Sequence, residues 1–283
     1  KMSKYNFSKS ISIEKKIVSN ETPCFIIGEA GVNHNGNFDN AIKLIDIAVA
    51  SGVDAVKFQH FSADEIILKS VEMADYQKAN LGTKNSQHSM LQKLELNIEQ
   101  LKALKDYTES KGLIFICTPF DVKSFRELES IDVSCYKVSS SDFTNLEILK
   151  MIAETNKPII LSSGMSNLDE IDQVIDFLEP INKNIILLHC TTNYPTQPSE
   201  VNLLTMKTLA DRYYIQVGFS DHTESVGASP YSIGLGANLV EKHFTIDKTM
   251  EGPDHVASLD PLELKAFVES IKYAEQILGT NDK

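Results

Sequence analysis

The stretches VGFSDHT (217–223) and LVEKHFT (239–245) decide how the chain is read. Each ends a short apolar run, and each delivers a histidine, His222 and His243, at its C-terminal end. Continuous apolar runs bounded by turn residues suit strands buried on both faces, as parallel sheets require. Twenty residues lie between the two histidines, and VGASPYSIGLGA (226–237) among them predicts a helix with Pro230 in or near its first turn. Strand, helix, strand is the unit of a parallel sheet. The two histidines then sit on neighbouring strand ends, where they suit one divalent transition metal with further positions left to water or substrate.

Working outward, the same unit repeats. PCFIIGE (23–29), DAVKFQH (54–60), LIFICTPF (113–120), SCYKVSSSD (134–142), PIILSSGM (158–165) and NIILLHCTT (184–192) read as further strands. YIQVGFSDHT and LVEKHFT are the seventh and eighth. Helical patterns separate them: FDNAIKLIDIAVASG, IEQLKALKDYTESKG, DVKSFRELESI, LEILKMIAETN, LDEIDQVIDFLEP and VNLLTMKTLADRY, with PLELKAFVESIKYAEQILG closing the series. Eight strands alternating with eight helices predict an α/β fold, a (β/α)8 TIM barrel. The competing open doubly wound sheet needs a glycine-rich GxGxxG turn after its first strand, and GEAGVNHNG (28–36) is not one. The expected domains are an N-terminal extension at 1–22 and a catalytic barrel at 23–283. Within the extension, ISIEKKIVS (11–19) alternates and suits a β-hairpin plugging the barrel bottom. The long insertion after strand 2, residues 61–97 with its polar patch GTKNSQHS, predicts a lid.

Composition sets outer bounds. The chain has 283 residues and a formal net charge of -12, which opposes sequence-independent nucleic-acid binding. No apolar run approaches membrane-spanning length, and KMSKYNFSKSISIEKK does not read as a signal peptide, so neither a nucleic-acid nor a membrane partner is expected. Cys24, Cys117, Cys135 and Cys190 form no CxxC pair and predict buried, reduced thiols in a cytoplasmic protein.

In a barrel, function collects at the C-terminal ends of the strands. Those ends carry Glu29, then Lys57 and Gln59, then Thr118, Lys137 with Ser139–Ser141, Ser162 and Ser163, and His189 and Thr191. Ser220 with His222, and Glu241 with His243, complete the ring. Two lysines and several hydroxyls on one rim form an anion cradle suited to a phosphate beside a carboxylate. A lysine here can also be a structural ion-pair partner. His189, deep in its apolar run, reads as structural. His34 divides between a substrate contact and turn packing, and His60, His88 and His255 have weaker claims. LDEIDQVIDFLE reads as a solvated face.

GEAGVNHNG, VKFQ, CTPF, YKVSSSD, LSSGM, LHCTTNYP, FSDHT, EKHFT and GPDHVAS together resemble the sialic acid synthase family, over nearly the whole chain from about Cys24 to about Gly279. The resemblance implies a (β/α)8 catalytic domain that condenses phosphoenolpyruvate with an N-acylated mannosamine-type hexosamine to make a nine-carbon acid. It implies His222 and His243 as ligands of a divalent metal, typically manganese, with magnesium or cobalt as alternatives. Lys57, Thr118, Lys137, Ser140, Ser162 and Ser220 would hold phosphoenolpyruvate. Gln59, Tyr194 and Asp254 would handle the open-chain sugar. Glu29 would be the acid/base group and Glu241 a second carboxylate near the metal. Relatives often carry a C-terminal antifreeze-like domain that reaches across a domain-swapped dimer. This chain stops at Lys283, so that domain is expected to be absent from it, and a homodimer is the expected assembly. Thr192 in LHCTTNYP, with HFTIDKTMEGPDH, leans toward relatives making legionaminic-type sugars, and the 61–97 loop would set the choice of acyl sugar. Other classes remain open: a phosphoenolpyruvate aldol synthase using another aldose or a sugar phosphate, a metal-dependent barrel hydrolase, or a non-catalytic sensor. The scarcity of arginine, Arg126 and Arg212 alone, opposes a second phosphate cluster.

Overall fold

The structure, a computed structural model, describes residues 4–66 and 86–279. Its first element is a hairpin, β1 (Ser10–Ile13) paired antiparallel with β2 (Lys16–Ser19). Eight parallel strands follow: β3 (Phe25–Gly31), β4 (Ala55–His60), β5 (Ile114–Pro119), β6 (Tyr136–Val138), β7 (Ile159–Ser162), β8 (Ile185–Cys190), β9 (Gln216–Asp221) and β10 (Leu239–His243). They close into one barrel in sequence order, with β10 pairing β3. This is the predicted TIM barrel, and the open sheet is excluded.

The long helices form where the sequence supplies both an apolar stripe and a cap. Asn37 accepts from the Asn40 backbone N–H to start α1 (Phe38–Ser51), and Gly52 ends it at φ +79°. After α2 (Ala63–Ile66) and α3 (Gln87–Gln92), reciprocal capping boxes start α4 (Ile98–Ser110) at Asn97 and Gln100. Asp121 caps α5 (Val122–Ser130) and Asn145 caps α6 (Leu146–Glu154). Asn167 and Glu170 box α7 (Leu168–Leu178). After α8 (Thr205–Tyr213) and α9 (Ser229–Ile233), Asp260 and Glu263 box α10 (Pro261–Leu278).

Side chains alternate across each stave. Outward residues such as Ile26, Val56, Phe115, Tyr136, Leu161, Leu187 and Val240 pack under the helices. Inward residues Phe25, Ile27, Ala55, Ile114, Ile116, Ile160, Ile186, Leu188 and Leu239 fill the barrel. Ile11, Ile13 and Val18 of the hairpin join that inner cluster, each about 1% exposed or less. Burial of each contributes about 1.5–3 kcal/mol, so the hairpin is the expected bottom plug.

Several sequence expectations are corrected. SCYKVSSSD yields only a three-residue strand, and Ser140–Asp142 turns into a 3-10 helix. The helix expected from Val201 begins at Thr205, after a 3-10 turn at Pro198–Glu200. The acidic face of α7 is not merely solvated, because Asp172 pairs with Arg212 and Asp176 with Lys4 at 2.6 Å. Within the 61–97 insertion, α2 and α3 are described; most of the expected lid, including residues 82–85 of its polar patch, lies outside the described residues.

Candidate active site

Above the inner apolar layers, each of the eight staves contributes one inward polar or thiol side chain: Glu29, Lys57, Thr118, Lys137, Ser162, Cys190, Ser220 and Glu241. They floor a cavity of about 430 Å³ at the C-terminal mouth of the barrel. A larger cleft of about 580 Å³ lies outside the barrel between residues 196–203 and 223–231. Its lining is mostly apolar, with Glu224 its one charged side chain, whereas the charged groups gather at the barrel mouth.

The floor is an alternating charge network. Lys57 Nζ lies 2.7 Å from Glu29 Oε2, 3.5 Å from Glu241 Oε2 and 3.3 Å from Thr118 Oγ1. Lys137 Nζ is 3.7 Å from Glu241 Oε1 and donates to the Val138 carbonyl. Ser220 Oγ donates to Glu241 Oε1 at 2.9 Å, and Gln59 Nε2 donates to Glu29 Oε1 at 3.1 Å. Gly31, at φ +53°, leaves room for the Glu29 and Gln59 side chains, which lie 3.3 and 3.4 Å from where a Cβ would stand.

Environment separates the two carboxyls. Burial pushes Glu29 up, with the Glu241 charge reinforcing it and Lys57 opposing. Burial acts on Glu241 too, but Lys137 and Lys57 outweigh it and pull that carboxyl down to about 2. Glu241 is therefore held ionised, while Glu29 is the carboxyl whose hold on a proton is strengthened. Burial lowers both lysines; Glu241 and Glu29 reverse this for Lys57, whereas Lys137 stays below the usual range. Asp254, beside Pro253 on the cavity wall, is raised to about 6 by burial and the Glu29 charge.

The two sequence-predicted histidines do meet. Their ring centroids lie 5.8 Å apart, and Tyr194 packs on both, 4.1 Å from His222 and 5.8 Å from His243. His222 Nδ1–H donates to the Thr191 carbonyl at 2.6 Å, which fixes the tautomer and leaves Nε2 as the lone-pair nitrogen. Tyr194 O–H donates to that nitrogen at 3.1 Å. Burial, with the neighbouring His243, lowers His222 to about 3, and burial with Lys57 lowers His243 to about 4, so both are neutral imidazoles. Below them, outward-facing Asp221 pairs with Lys242 at 3.2 Å. Asp221 also accepts from the Ala228 and Ser229 backbone and pins the loop that follows His222.

All thirteen sequence-predicted site residues line this one cavity, Ser140 from its 3-10 turn and Tyr194 and Asp254 from loops. Ser139 and Ser141 join them. Other expectations move away. His189 faces outward, stacks on Phe219 and bonds the Val201 carbonyl, so it is structural, and the inward position of its stave belongs to Cys190. Thr191 contributes only its carbonyl. Ser163 bonds the Leu188 carbonyl. His34 is buried, accepts from the Gly36 N–H and does not line the cavity. His60 and His88 pair with Glu127 and Asp64, and His255 bonds Thr245 and Asn35. Cys190, whose Sγ lies 3.1 Å from Ser140 Oγ, was missed; the period-two alternation of IILLHC carried the signal. All four cysteines are free and buried. Among the described residues, no helix is long and apolar enough to cross a membrane.

Comparison with known proteins agrees with this geometry. An N,N'-diacetyllegionaminic acid synthase of Legionella pneumophila is 45% identical over 265 residues, covering 92% of this chain and 74% of that one. The N-acetylneuraminate-9-phosphate synthase of Homo sapiens is 35% identical, covering 94% of this chain and 74% of its own. The crystal structure of an N-acetylneuraminic acid (sialic acid) synthetase from Leptospira borgpetersenii, in complex with citrate, superposes with a TM-score of 0.87 at 29% identity, covering 98% of this chain and 92% of that one. The pattern that defines the NeuB family matches residues 44–283, and with these likenesses it establishes that the chain belongs to the NeuB family.

Proposed function

We propose that this chain condenses phosphoenolpyruvate with an N-acylated mannosamine-type sugar and water, giving a nine-carbon 2-keto acid and phosphate. It is a phosphoenolpyruvate-dependent synthase of the sialic acid type. One observation carries the reading: eight strand ends converge on a buried floor of two lysines, two carboxyls of opposite tendency and three hydroxyls, beneath two neutral imidazoles. Among the described residues, two buried side-chain polar atoms with neither a hydrogen bond nor an ion pair lie here, Ser162 Oγ and His243 Nδ1. Buried polar atoms left unpaired are costly, so these mark a surface made for a polar ligand.

In this reading Lys57 and Lys137 hold the phosphate and carboxylate of phosphoenolpyruvate, with Thr118, Ser140, Ser162 and Ser220 donating to remaining oxygens. Gln59, Tyr194 and Asp254 orient the open-chain aldehyde. The methylene carbon of phosphoenolpyruvate bonds to the aldehyde carbon, whose oxygen takes a proton. Water adds to the cationic carbon that still carries the phosphate ester, and the C–O bond of that ester then breaks, so that phosphate leaves as the added hydroxyl loses its proton and becomes the keto group. Glu29, the carboxyl with the stronger hold on a proton, accepts the water proton and returns it to an oxygen. Glu241, held ionised, keeps both lysines charged and steadies the developing cation.

The residues also fit a divalent metal. His222 offers Nε2 with its tautomer set by the Thr191 carbonyl, and His243 Nδ1 is buried without a partner. Among the described residues no group of three or more His, Cys, Asp or Glu is arranged around one ion, so water or substrate would complete the coordination. What an ion held by His222 and His243 supplies is Lewis acidity toward a carbonyl oxygen. Manganese is our reading of its identity, with magnesium and cobalt as alternatives. We read the acceptor as legionaminic-type, following the 45% identity to the Legionella synthase. A cytoplasmic homodimer is part of the same reading, and four free thiols suit a reducing compartment.

The test is phosphate release from phosphoenolpyruvate against a panel of N-acylated hexosamines, with manganese, magnesium and cobalt each restored after chelation. Turnover with an N-acylated mannosamine-type sugar is expected. Turnover only with a sugar phosphate such as arabinose 5-phosphate, or with no aldose, would sink the proposal.

A further inference from the structure

The sheet holds His243 but stops one residue short of His222. In the ladder between β9 and β10 the rungs are Phe219 with Val240, Ser220 with Glu241 and Asp221 with Lys242. His243 still has a rung with Glu29 of β3, whereas β9 ends at Asp221. Backbone pairing therefore does not set where the His222 imidazole stands. A buried polar knot on the outer face of the two staves takes over at that point. Asp221 and Lys242, partners in the last rung, meet at 3.2 Å with side chains 0% and 2% exposed. Asp221 Oδ1 accepts from the Thr223 N–H at 2.9 Å and from the Thr223 hydroxyl at 2.6 Å. Its Oδ2 accepts from the Ala228 N–H at 3.1 Å, and from the Ser229 N–H and hydroxyl at 2.9 and 2.7 Å. Lys242 Nζ donates to the Thr223 carbonyl at 2.7 Å. At Gly227, φ +66°, a Cβ would stand 1.9 Å from Thr223 Oγ1 and 2.8 Å from Lys242 Nζ, so the loop at 223–229 closes directly onto the pair.

We propose that Asp221 and Lys242 are positioning residues for the metal pair: they tie the chain on both sides of His222 to the stave that carries His243, and so set the spacing of the two imidazoles. The inference rests on the metal reading above and names the groups that hold its two ligands in place. The residues immediately before and after His222 both end on Lys242, one through the Asp221 carboxylate and one through the Thr223 carbonyl. Lys242 is itself the residue before His243. Neither side chain lines the cavity, so neither touches the reacting atoms. Net stability accounts poorly for the pair, since apolar side chains of equal volume often serve a buried position as well or better. Direction is what it supplies: five hydrogen bonds and one ammonium fix a single carboxylate. With its flanks held, His222 can keep its Nδ1–H on the Thr191 carbonyl at 2.6 Å and turn Nε2 toward His243.

The test compares wild type with Asp221→Asn, Lys242→Met and the nearly isosteric Thr223→Val, which keeps the fold within reach if the first two do not fold. Leu149→Ala, a buried site on α6 away from both staves, controls for general loosening. Two quantities are read: manganese affinity by calorimetry, and the His222 Nδ1–H proton resonance in metal-free protein, identified by its loss in His222→Gln. Each network variant that folds should weaken manganese about tenfold, the scale on which groups behind a metal ligand act, and leave metal-free phosphoenolpyruvate affinity within about twofold. The Nδ1–H resonance should broaden or vanish in the same variants. Leu149→Ala should change neither quantity well below its melting temperature. Unchanged manganese affinity and an intact resonance in Thr223→Val or a folded Lys242→Met would overturn the proposal. Equal losses in Leu149→Ala would overturn it too. If wild type itself binds no manganese, the metal reading fails, and the resonance still decides whether this pair positions His222.

Discussion

Replacing Lys57 with methionine tests the charge network most directly. Its ammonium lies 2.7 Å from one buried carboxyl and 3.5 Å from another, and all three side chains are at most 6% exposed. Methionine keeps the volume and removes the charge. Breaking a buried ion pair on one side costs about 3–5 kcal/mol, because the remaining charge is left unpaired. The sign with pH follows from Glu29 and Glu241, which lose the neighbour that lowers both. Glu29, already raised, goes higher and Glu241 rises from about 2, so the folded variant binds more protons than the folded wild type does. Its deficit is therefore full at pH 8 and shrinks as pH falls toward 5. Urea unfolding at several pH values, in wild type, Lys57→Met, Glu29→Gln and the double variant, closes a cycle. The double variant should recover about 2 kcal/mol relative to additivity, since one of the stranded carboxylates is gone. A loss under about 1 kcal/mol at pH 8, a loss independent of pH, or additive single effects would each refute the network.

His222→Ala should abolish metal-dependent turnover and manganese binding by calorimetry while the melting temperature shifts only a few degrees; retained metal binding would overturn the metal assignment. Gly164→Ala places a Cβ 2.0 Å from Ser140 Oγ at φ +34°, so Ser140 must move. Losing its bond to a charged group should raise KM for phosphoenolpyruvate about tenfold or more, with KM for the sugar as the control. In metal-free protein, His243 is neutral down to about 4 when folded but titrates near 6.5 when unfolded. Its folded value is depressed, so the unfolded state binds more protons below 6.5 and stability falls with pH there, by on the order of 2–3 kcal/mol between pH 7 and 4.5. His243→Gln should flatten that slope in urea unfolding, and an unchanged slope would contradict the assignment.

The barrel and much of its site are legible in the sequence because each follows from a local rule. Continuous apolar runs such as IFICTP (114–119) and capped amphipathic helices specify β-α units. Period-two alternation then places Lys57 with Gln59, Ser220 with His222 and Glu241 with His243 on common faces. At one stave end the reading was incomplete by one residue: His189 faces the helices, as its apolar run implied, but Cys190 beside it faces the cavity.

By itself the sequence determined the eight-fold repeat, the strand ends that carry polar side chains and the motifs of the NeuB family, all set by patterns within a few residues. Tertiary structure decided the rest. Closure of β10 onto β3 brings Glu29 and Glu241 within 3.5 Å of one ammonium, although they lie far apart in the chain. The opposed proton affinities of those carboxyls come from burial and from lysines on other staves, through-space effects with no trace in local spacing. The folding of α3 over the mouth likewise depends on Phe61, Phe120 and Val32, contacts between segments that no periodicity links.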